Sequence, residues 1–377
     1  MSFLKAFSIY LGTVIGVGIF GLPFVALRAG FFVVVSYFLC MALVAILINF
    51  LYGEVILGTK EMHRLPGYVG KYLGEKWKRI TFLVITIGLM GALLAYLIIG
   101  GQFLNFFLGP YLGSNPTLYT LLFFGLGAYL VFRGIKSVSG VELSLLIVLF
   151  IILATFFIKA FPSINISYFK TLNPKFLFFP YGVILFSLWG SAVIPEIKEA
   201  LAACSTGRSG LRIRLRRVMF WGTIVAVAIY LFFIVIVLGV SGPVTSEEAI
   251  SGLEKVLGSN VVKLGFIFGV ITCFTSFLTL ALTLKKVFWY DFGIPKNFAW
   301  FLTCFPPLFL FFLGIRGFIG VISFTGAISL GIEGIIIVFL YREFLKKKFS
   351  QKINPVFYLL AGIFVLGIIL ELVYFMC

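Results

Sequence analysis

Histidine is almost missing from this chain. There is one, His63, in 377 residues, alongside only thirteen acidic residues and five cysteines. A metal centre or an acid–base enzyme draws on clusters of His, Cys, Asp and Glu, and His63 stands alone in the polar stretch TKEMHRLPGYVGKYLGEKWKR, where a single histidine is ordinarily solvated. Cys40, Cys273 and Cys304 fall in apolar runs, Cys204 in a polar stretch and Cys377 at the last position. No Cys-x-x-Cys pair occurs, so neither a disulfide framework nor a zinc site is expected. Charge is scarce too: 11% of residues, against 62% hydrophobic. A soluble domain does not have that balance. We expect no enzyme, no catalytic residues, no metal and no resident cofactor.

What is present is apolar length. A helix of about 20 apolar residues crosses the hydrocarbon core, and breaks at charge clusters and Pro, Gly or Asn turns divide the chain into eleven such spans. They run over 4–27, 31–57, 79–108, 116–133, 140–160, 176–200, 218–241, 262–286, 297–314, 318–341 and 355–376. Only helices satisfy their own backbone in lipid without closing a barrel, so the fold class is all-α: a polytopic membrane protein with 1–377 as one transmembrane domain. The first apolar stretch is too long for a signal-peptide core, has no cleavage-like site, and is expected to stay as a span. With the N-terminus cytoplasmic, 23 Lys and Arg fall on the inner side and seven on the outer. That asymmetry predicts N-terminus in, C-terminus out, and a multi-pass protein of the cell (plasma) membrane. It also accounts for the net charge of +17 and the run GRSGLRIRLRR at 207–217: these fit topogenic contacts with membrane lipids, and no nucleic-acid partner is expected.

The stretch TVIGVGIFGLP at 13–23 carries Gly16, Gly18 and Gly21 in the G-x-G-x-x-G spacing of a dinucleotide turn. The strand, the helix and the acidic residue about 20 positions on that such a turn requires are not there; the next carboxylate is Glu54. In a membrane span, three glycines closed by Pro23 predict a broken helix, tolerated only where protein or a water-filled cavity covers it. The sixth span, YGVILFSLWGSAVIPEIKEA, has Ser187, Gly190 and Ser191 at its centre and Pro195 beyond. Interruptions at corresponding places in two halves point to the binding site of a transporter.

TVIGVGIFGLPFVALRAGF, GALLAYLIIGGQFL in the third span, LWGSAVIPEI, TSFLTLALTLKKVFWYDFG in the eighth span and FTGAISLGIEGIIIVFLY in the tenth resemble the amino acid/auxin permease family, and within it the tyrosine/tryptophan permease branch. The resemblance implies a LeuT-like inverted repeat of five plus five spans, about 4–160 and 176–341, plus an extra helix at 355–376. It implies secondary active uptake of amino acids by ion symport through alternating access. The competing reading is an amino-acid-binding sensor, or an exchanger, in the same fold; a sensor would carry a soluble output domain, and nearly all of this sequence lies in spans. A monomer is expected.

A zwitterionic amino acid needs donors for its carboxylate and acceptors for its ammonium. Unwound backbone offers both: N–H groups of Val17, Gly18, Ile19 and Phe20 at a half-helix start, and carbonyls near Thr13 and across Phe186, Ser187 and Leu188. Tyr96, Phe186, Trp189 and Ser191 are expected to face the substrate side chain and to select neutral, aromatic amino acids. The resemblance implies a sodium site between the first and eighth spans. Carbonyls of Gly12 and Ile15 would serve it with Thr272, Thr275 and Ser276, which share one helix face. Gly12 stands where sodium-coupled relatives carry Asn, and the branch resemblance favours a proton over sodium as coupling ion. Glu196 and Glu333 are then the candidate proton carriers, because a carboxylate inside a span is costly and usually functional. Between spans seven and eight, Thr245 and Glu248 have capping-box spacing ahead of Ile250, Leu253, Val256 and Leu257, which predicts a short amphipathic helix.

Overall fold

The computed structural model describes residues 2–134, 142–170, 172–202, 207–352 and 354–376, and the regular structure in them is entirely helical. The first half contains α1 (Ser2–Val14), α2 (Gly18–Ala29), α3 (Phe31–Gly58), α4 (Leu65–Leu73), α5 (Glu75–Leu112), α6 (Pro116–Arg133) and α7 (Glu142–Ala160). The second contains α8 (Pro180–Leu188), α9 (Ile194–Ala202), α10 (Gly207–Ser241), α11 (Glu254–Leu257), α12 (Ser259–Lys286), α13 (Lys296–Phe312), α14 (Phe318–Phe324), α15 (Gly331–Phe349) and α16 (Val356–Met376).

Among the described residues nine helical segments are long and apolar enough to cross a membrane. The pair α1 and α2, bent by 49°, makes a tenth. The eleven spans expected from sequence exceed this by one, at α13. Its 17 residues rise only about 26 Å against a hydrocarbon core of about 30 Å. Boundaries also move. The basic run at 207–217, expected as a loop, forms the first turns of α10, because Arg and Leu are good helix formers and Arg212 and Arg216, one turn apart, both reach Glu54 at 2.6 and 2.8 Å. The loop holding His63 is partly helical as α4. In it Glu61 accepts from Lys71 at 2.5 Å and lies 3.3 Å from His63, and the bond to Lys71 pulls the Glu61 carboxyl below its usual range.

The capping box does not form. Thr245 donates instead to the carbonyl of Gly242 at 2.7 Å, Glu248 accepts from Ser251, and Ala249 sits at φ 68°, which ends any continuous turn. Only α11 and one turn of 3₁₀-helix remain of the amphipathic segment.

Two broken spans lie side by side in the middle, with α1 against α9 and α2 against α8, and α10 runs past both pairs. The long α5 and α12 pack together on the other side of the centre. A second irregularity is a π-helical turn at Thr325–Leu330 between α14 and α15. It meets α8 backbone to backbone: a Cβ on Gly326 would come 2.0 Å from the Gly182 carbonyl oxygen, and one on Gly182 2.3 Å from that of Ser323. Small residues allow that approach. The last helix, α16, lies outside, against α15, the π-turn and α8.

Candidate functional site

The first break spans Ile15, Gly16 and Val17, and its glycines are accounted for by what approaches them. A Cβ on Gly16 would stand 2.3 Å from the hydroxyl oxygen of Tyr96, and one on Gly18 would stand 2.3 Å from that of Ser187. A Cβ on Gly21 would stand 2.8 Å from Ile319 of α14. The second break follows α8. Trp189 is extended (φ −79°, ψ 111°), Gly190 turns, and Ser191–Val193 make a 3₁₀ turn before α9. Such backbone keeps only short turn bonds, Gly16 N–H to the Val14 carbonyl at 2.9 Å and Trp189 N–H to that of Phe186 at 3.4 Å, and needs outside partners for the rest. Tyr230 of α10 supplies one for both breaks at once: its hydroxyl lies 2.6 Å from the carbonyl oxygen of Val14 and 2.8 Å from that of Ser187. One proton is shared between the two broken spans.

Around these breaks opens a cavity of about 1500 Å³, counting the space at its mouth. It runs from the breaks toward the face that carries the α3–α4 loop, where Arg64, Leu65 and Pro66 line it. Thirteen of the residues singled out from sequence share its wall. These are Gly12, Thr13, Ile15, Gly18 and Tyr96; Phe186, Ser187, Trp189 and Ser191; and Thr272, Thr275, Ser276 and Glu333. Val17, Ile19, Phe20 and Leu188 stand behind the wall, fully buried. The Phe20 N–H closes a turn onto the Val17 carbonyl at 3.2 Å and its ring packs on Phe103, so the free first-turn donors of α2 reduce to Gly18 and Ile19. Tyr96, expected beside a substrate side chain, aims its hydroxyl at the first break, 3.5 Å from the Val17 nitrogen.

The carboxylates separate. Glu196 is off the wall and pairs with Arg64 at the cavity mouth, joining α9 to the start of α4. Glu333, buried on the wall, accepts from Ser191 at 2.5 Å, and the Trp189 indole N–H faces it without completing a hydrogen bond. Among the described residues no cation pairs with Glu333. On α12 a stripe of hydroxyls, Thr272, Thr275, Ser276, Thr279 and Thr283, follows the wall toward the mouth. Thr275, Thr279 and Thr283 each donate to a carbonyl of the preceding turn, whereas the buried Thr272 hydroxyl has no partner.

The model of the tryptophan/tyrosine permease family matches residues 1–377. The chain belongs to that family. The permease has no match among curated proteins, but its fold recurs in solved transporters. MhsT in complex with L-phenylalanine superposes with a TM-score of 0.71 at 15% identity, covering 98% of each chain. Mhp1, a nucleobase-cation-symport-1 family transporter in a closed conformation with bromovinylhydantoin bound, gives 0.71 at 13% identity over 98% of this chain and 90% of its own. A variant of the Eremococcus coleocola manganese transporter gives 0.70 at 12% over 98% and 85%. These likenesses show a LeuT-like fold, and the family makes the permease a multi-pass amino-acid transporter.

Sequence reasoning missed Tyr230 and Arg64. Each is one residue among many of its kind, and nothing local marks the one hydroxyl or guanidinium whose partners lie in a distant span. The orphaned Thr272 hydroxyl had a signal, its place on the polar face of the eighth span.

Proposed function

We propose that the permease imports neutral amino acids, aromatic ones foremost, by proton symport through alternating access. The N-terminus and the cavity mouth face the cytoplasm and the C-terminus lies outside the plasma membrane. Spans 1–5 and 6–10 form the inverted repeat, with α13 as the ninth span and α16 as the eleventh.

The observation that carries this reading is Glu333, a buried carboxyl on the cavity wall whose hydrogen-bonding partner, Ser191, belongs to the broken sixth span. A carboxylate buried without a cation costs several kcal/mol, so a proton on Glu333 stabilises the arrangement, and its release leaves a charge that grips the Ser191 hydroxyl harder and demands further donors or water. Substrate and proton would thereby act on the same segment. The Gly18 N–H, on the cavity wall, suits the substrate carboxylate, and Phe186 and Trp189 suit an apolar side chain; a protein of the same fold holds L-phenylalanine. Glu196, engaged with Arg64, acts as part of the inner gate rather than as a proton carrier. A sodium reading draws on the unpartnered Thr272 hydroxyl, which lines the same cavity as Gly12 and Ile15, since hard oxygen ligands would suit an alkali cation.

Uptake of labelled amino acids into proteoliposomes under imposed gradients decides between them. A proton gradient alone should drive accumulation of phenylalanine, tyrosine or tryptophan, and Glu333→Gln should abolish accumulation while substrate exchange persists. Accumulation driven by sodium alone, or strong competition by arginine or glutamate with none by aromatic amino acids, would overturn it.

A further inference from the structure

Glu371 belongs to none of the groups described above. It sits on α16, and its residue is only 3% exposed although α16 is the most peripheral of the spans. Its carboxyl accepts from Ser323 of α14 at 2.5 Å. On the other side stands Tyr181 of α8, whose buried hydroxyl has no partner. Gly367, one turn before Glu371, is the notch that admits this phenol: a Cβ there would stand 1.9 Å from the Tyr181 ring and 2.3 Å from its oxygen.

The titratable groups around this carboxyl are Tyr181 from α8, Tyr374 on α16 itself and, behind Tyr181, Tyr37 of α3. Arg28 of α2 sits over the rings of Phe24 and Phe176 at 5.0 and 5.9 Å and makes no ion pair with it. From α15, Glu333 faces Ser191 instead. Burial with no cation beside it makes a setting that holds a neutral carboxylic acid and disfavours a carboxylate, which the Ser323 hydroxyl offsets only in part.

We infer that Glu371 is a second proton-binding site, which must be protonated for the half of the bundle opposite the cavity mouth to close. Both α8 and α14, which meet at this carboxyl, are the far halves of interrupted spans; they pack on each other, and α2 joins them through Gly21 and Ile319. With the cavity open at the α3–α4 loop, that far side is shut. Parting α8 from α14 would let water reach Glu371, so that it ionises; a proton taken from the far side then restores the acid, the Ser323 hydrogen bond and the closed packing. The step is simple binding, carboxylate plus proton giving carboxylic acid. The inference extends the proton-coupled reading above but does not share its test.

The experiment places a reporter at Ile319, buried against Gly21, in a chain whose five native cysteines are replaced. Modification of Ile319→Cys by a membrane-impermeant maleimide, added opposite the N-terminus, reports far-side opening as outer pH is varied. Labelling, divided at each pH by the rate on the detergent-unfolded protein to remove the reporter's own thiolate fraction, should speed up as pH rises, by up to about tenfold per unit for one linked proton. Glu371→Gln should be slow and flat, Glu371→Asp should retain a slope, and Tyr181→Phe, which removes a potential donor to the carboxylate, should move the midpoint upward. A wild-type slope surviving in Glu371→Gln overturns the inference, as does a midpoint unmoved by Tyr181→Phe. If sodium rather than protons drives uptake while the Glu371-dependent slope persists, the symport reading fails and this one stands. Proton-driven uptake with flat labelling overturns this one and leaves proton symport in place.

Discussion

The two broken spans are interrupted by different means. In the first, glycine removes side chains so that other spans can fill the gap: the Tyr96 hydroxyl against Gly16 and Ser187 against Gly18. In the second, Gly190 also makes room, for the Tyr10 ring, but Trp189 and Ser191 on either side of it turn toward the cavity, where Ser191 meets Glu333. The first break is a socket alone, and the second also presents chemistry. Tyr230 holds the carbonyls of both, so neither can change its backbone without disturbing the other.

The strongest way to break this pairing is Tyr230→Phe. The Val14 carbonyl would keep the Gly16 N–H at 2.9 Å, but the Ser187 carbonyl would lose its donor, and leaving one such group unsatisfied costs about 1–3 kcal/mol, so uptake should fall by roughly 10- to 100-fold, at about 1.4 kcal/mol per tenfold. Uptake within twofold of wild type, in protein that folds normally, would show that the hydroxyl does not tie the breaks together.

The socket character of the first break predicts which second change rescues which first one. Gly16→Ala should destabilise by about 1–3 kcal/mol through overpacking and should recover when Tyr96→Phe removes the colliding oxygen. Gly18→Ala should ignore Tyr96→Phe and respond to Ser187→Gly. Thermal unfolding of these single and double variants checks this, and identical rescue patterns would erase the distinction.

For the second break, Trp189→Ala should weaken competition by aromatic amino acids about tenfold, the scale of losing an apolar contact in a pocket, while alanine and serine compete as before. A gain in bulky substrates would mean that the indole limits size rather than stacking on the ligand. The smallest effect belongs to Arg64 and Glu196. Both side chains are about 30% exposed, where solvent screens the pair to within about 1 kcal/mol. A double-mutant cycle with Arg64→Ala and Glu196→Ala should return a coupling of that size, diminishing in high salt; a larger, salt-insensitive one would make the pair a main lock of the inner side.

Much of the architecture was legible because its causes are local. Apolar length marks helices in lipid, and both interruptions fall where small residues cluster, at Gly16 to Gly18 and at Trp189 to Ser191. The errors have local causes as well. The run at 207–217 reads as a loop until Glu54 is seen to accept two of its arginines, and the capping box fails because Thr245 and Glu248 find Gly242 and Ser251. Phe20 and Leu188 flank the breaks in sequence, and their side chains pack into the core, because side chains beside a break still follow the faces of the helices that carry them.

What the sequence by itself determined is therefore the membrane class, the basic asymmetry of the loops and the two places where helices give way, since hydropathy, charge and glycine content act within a few residues. What only the tertiary structure decided is which groups meet there. The partners of Glu196, Glu333 and the Val14 carbonyl lie 132, 142 and 216 residues away. A hydrogen bond carries no trace in either local stretch, because its geometry is set by how whole helices pack, and that packing is what sets the half-buried Glu196 beside Arg64, Glu333 on the cavity wall and Glu371 against α8 and α14.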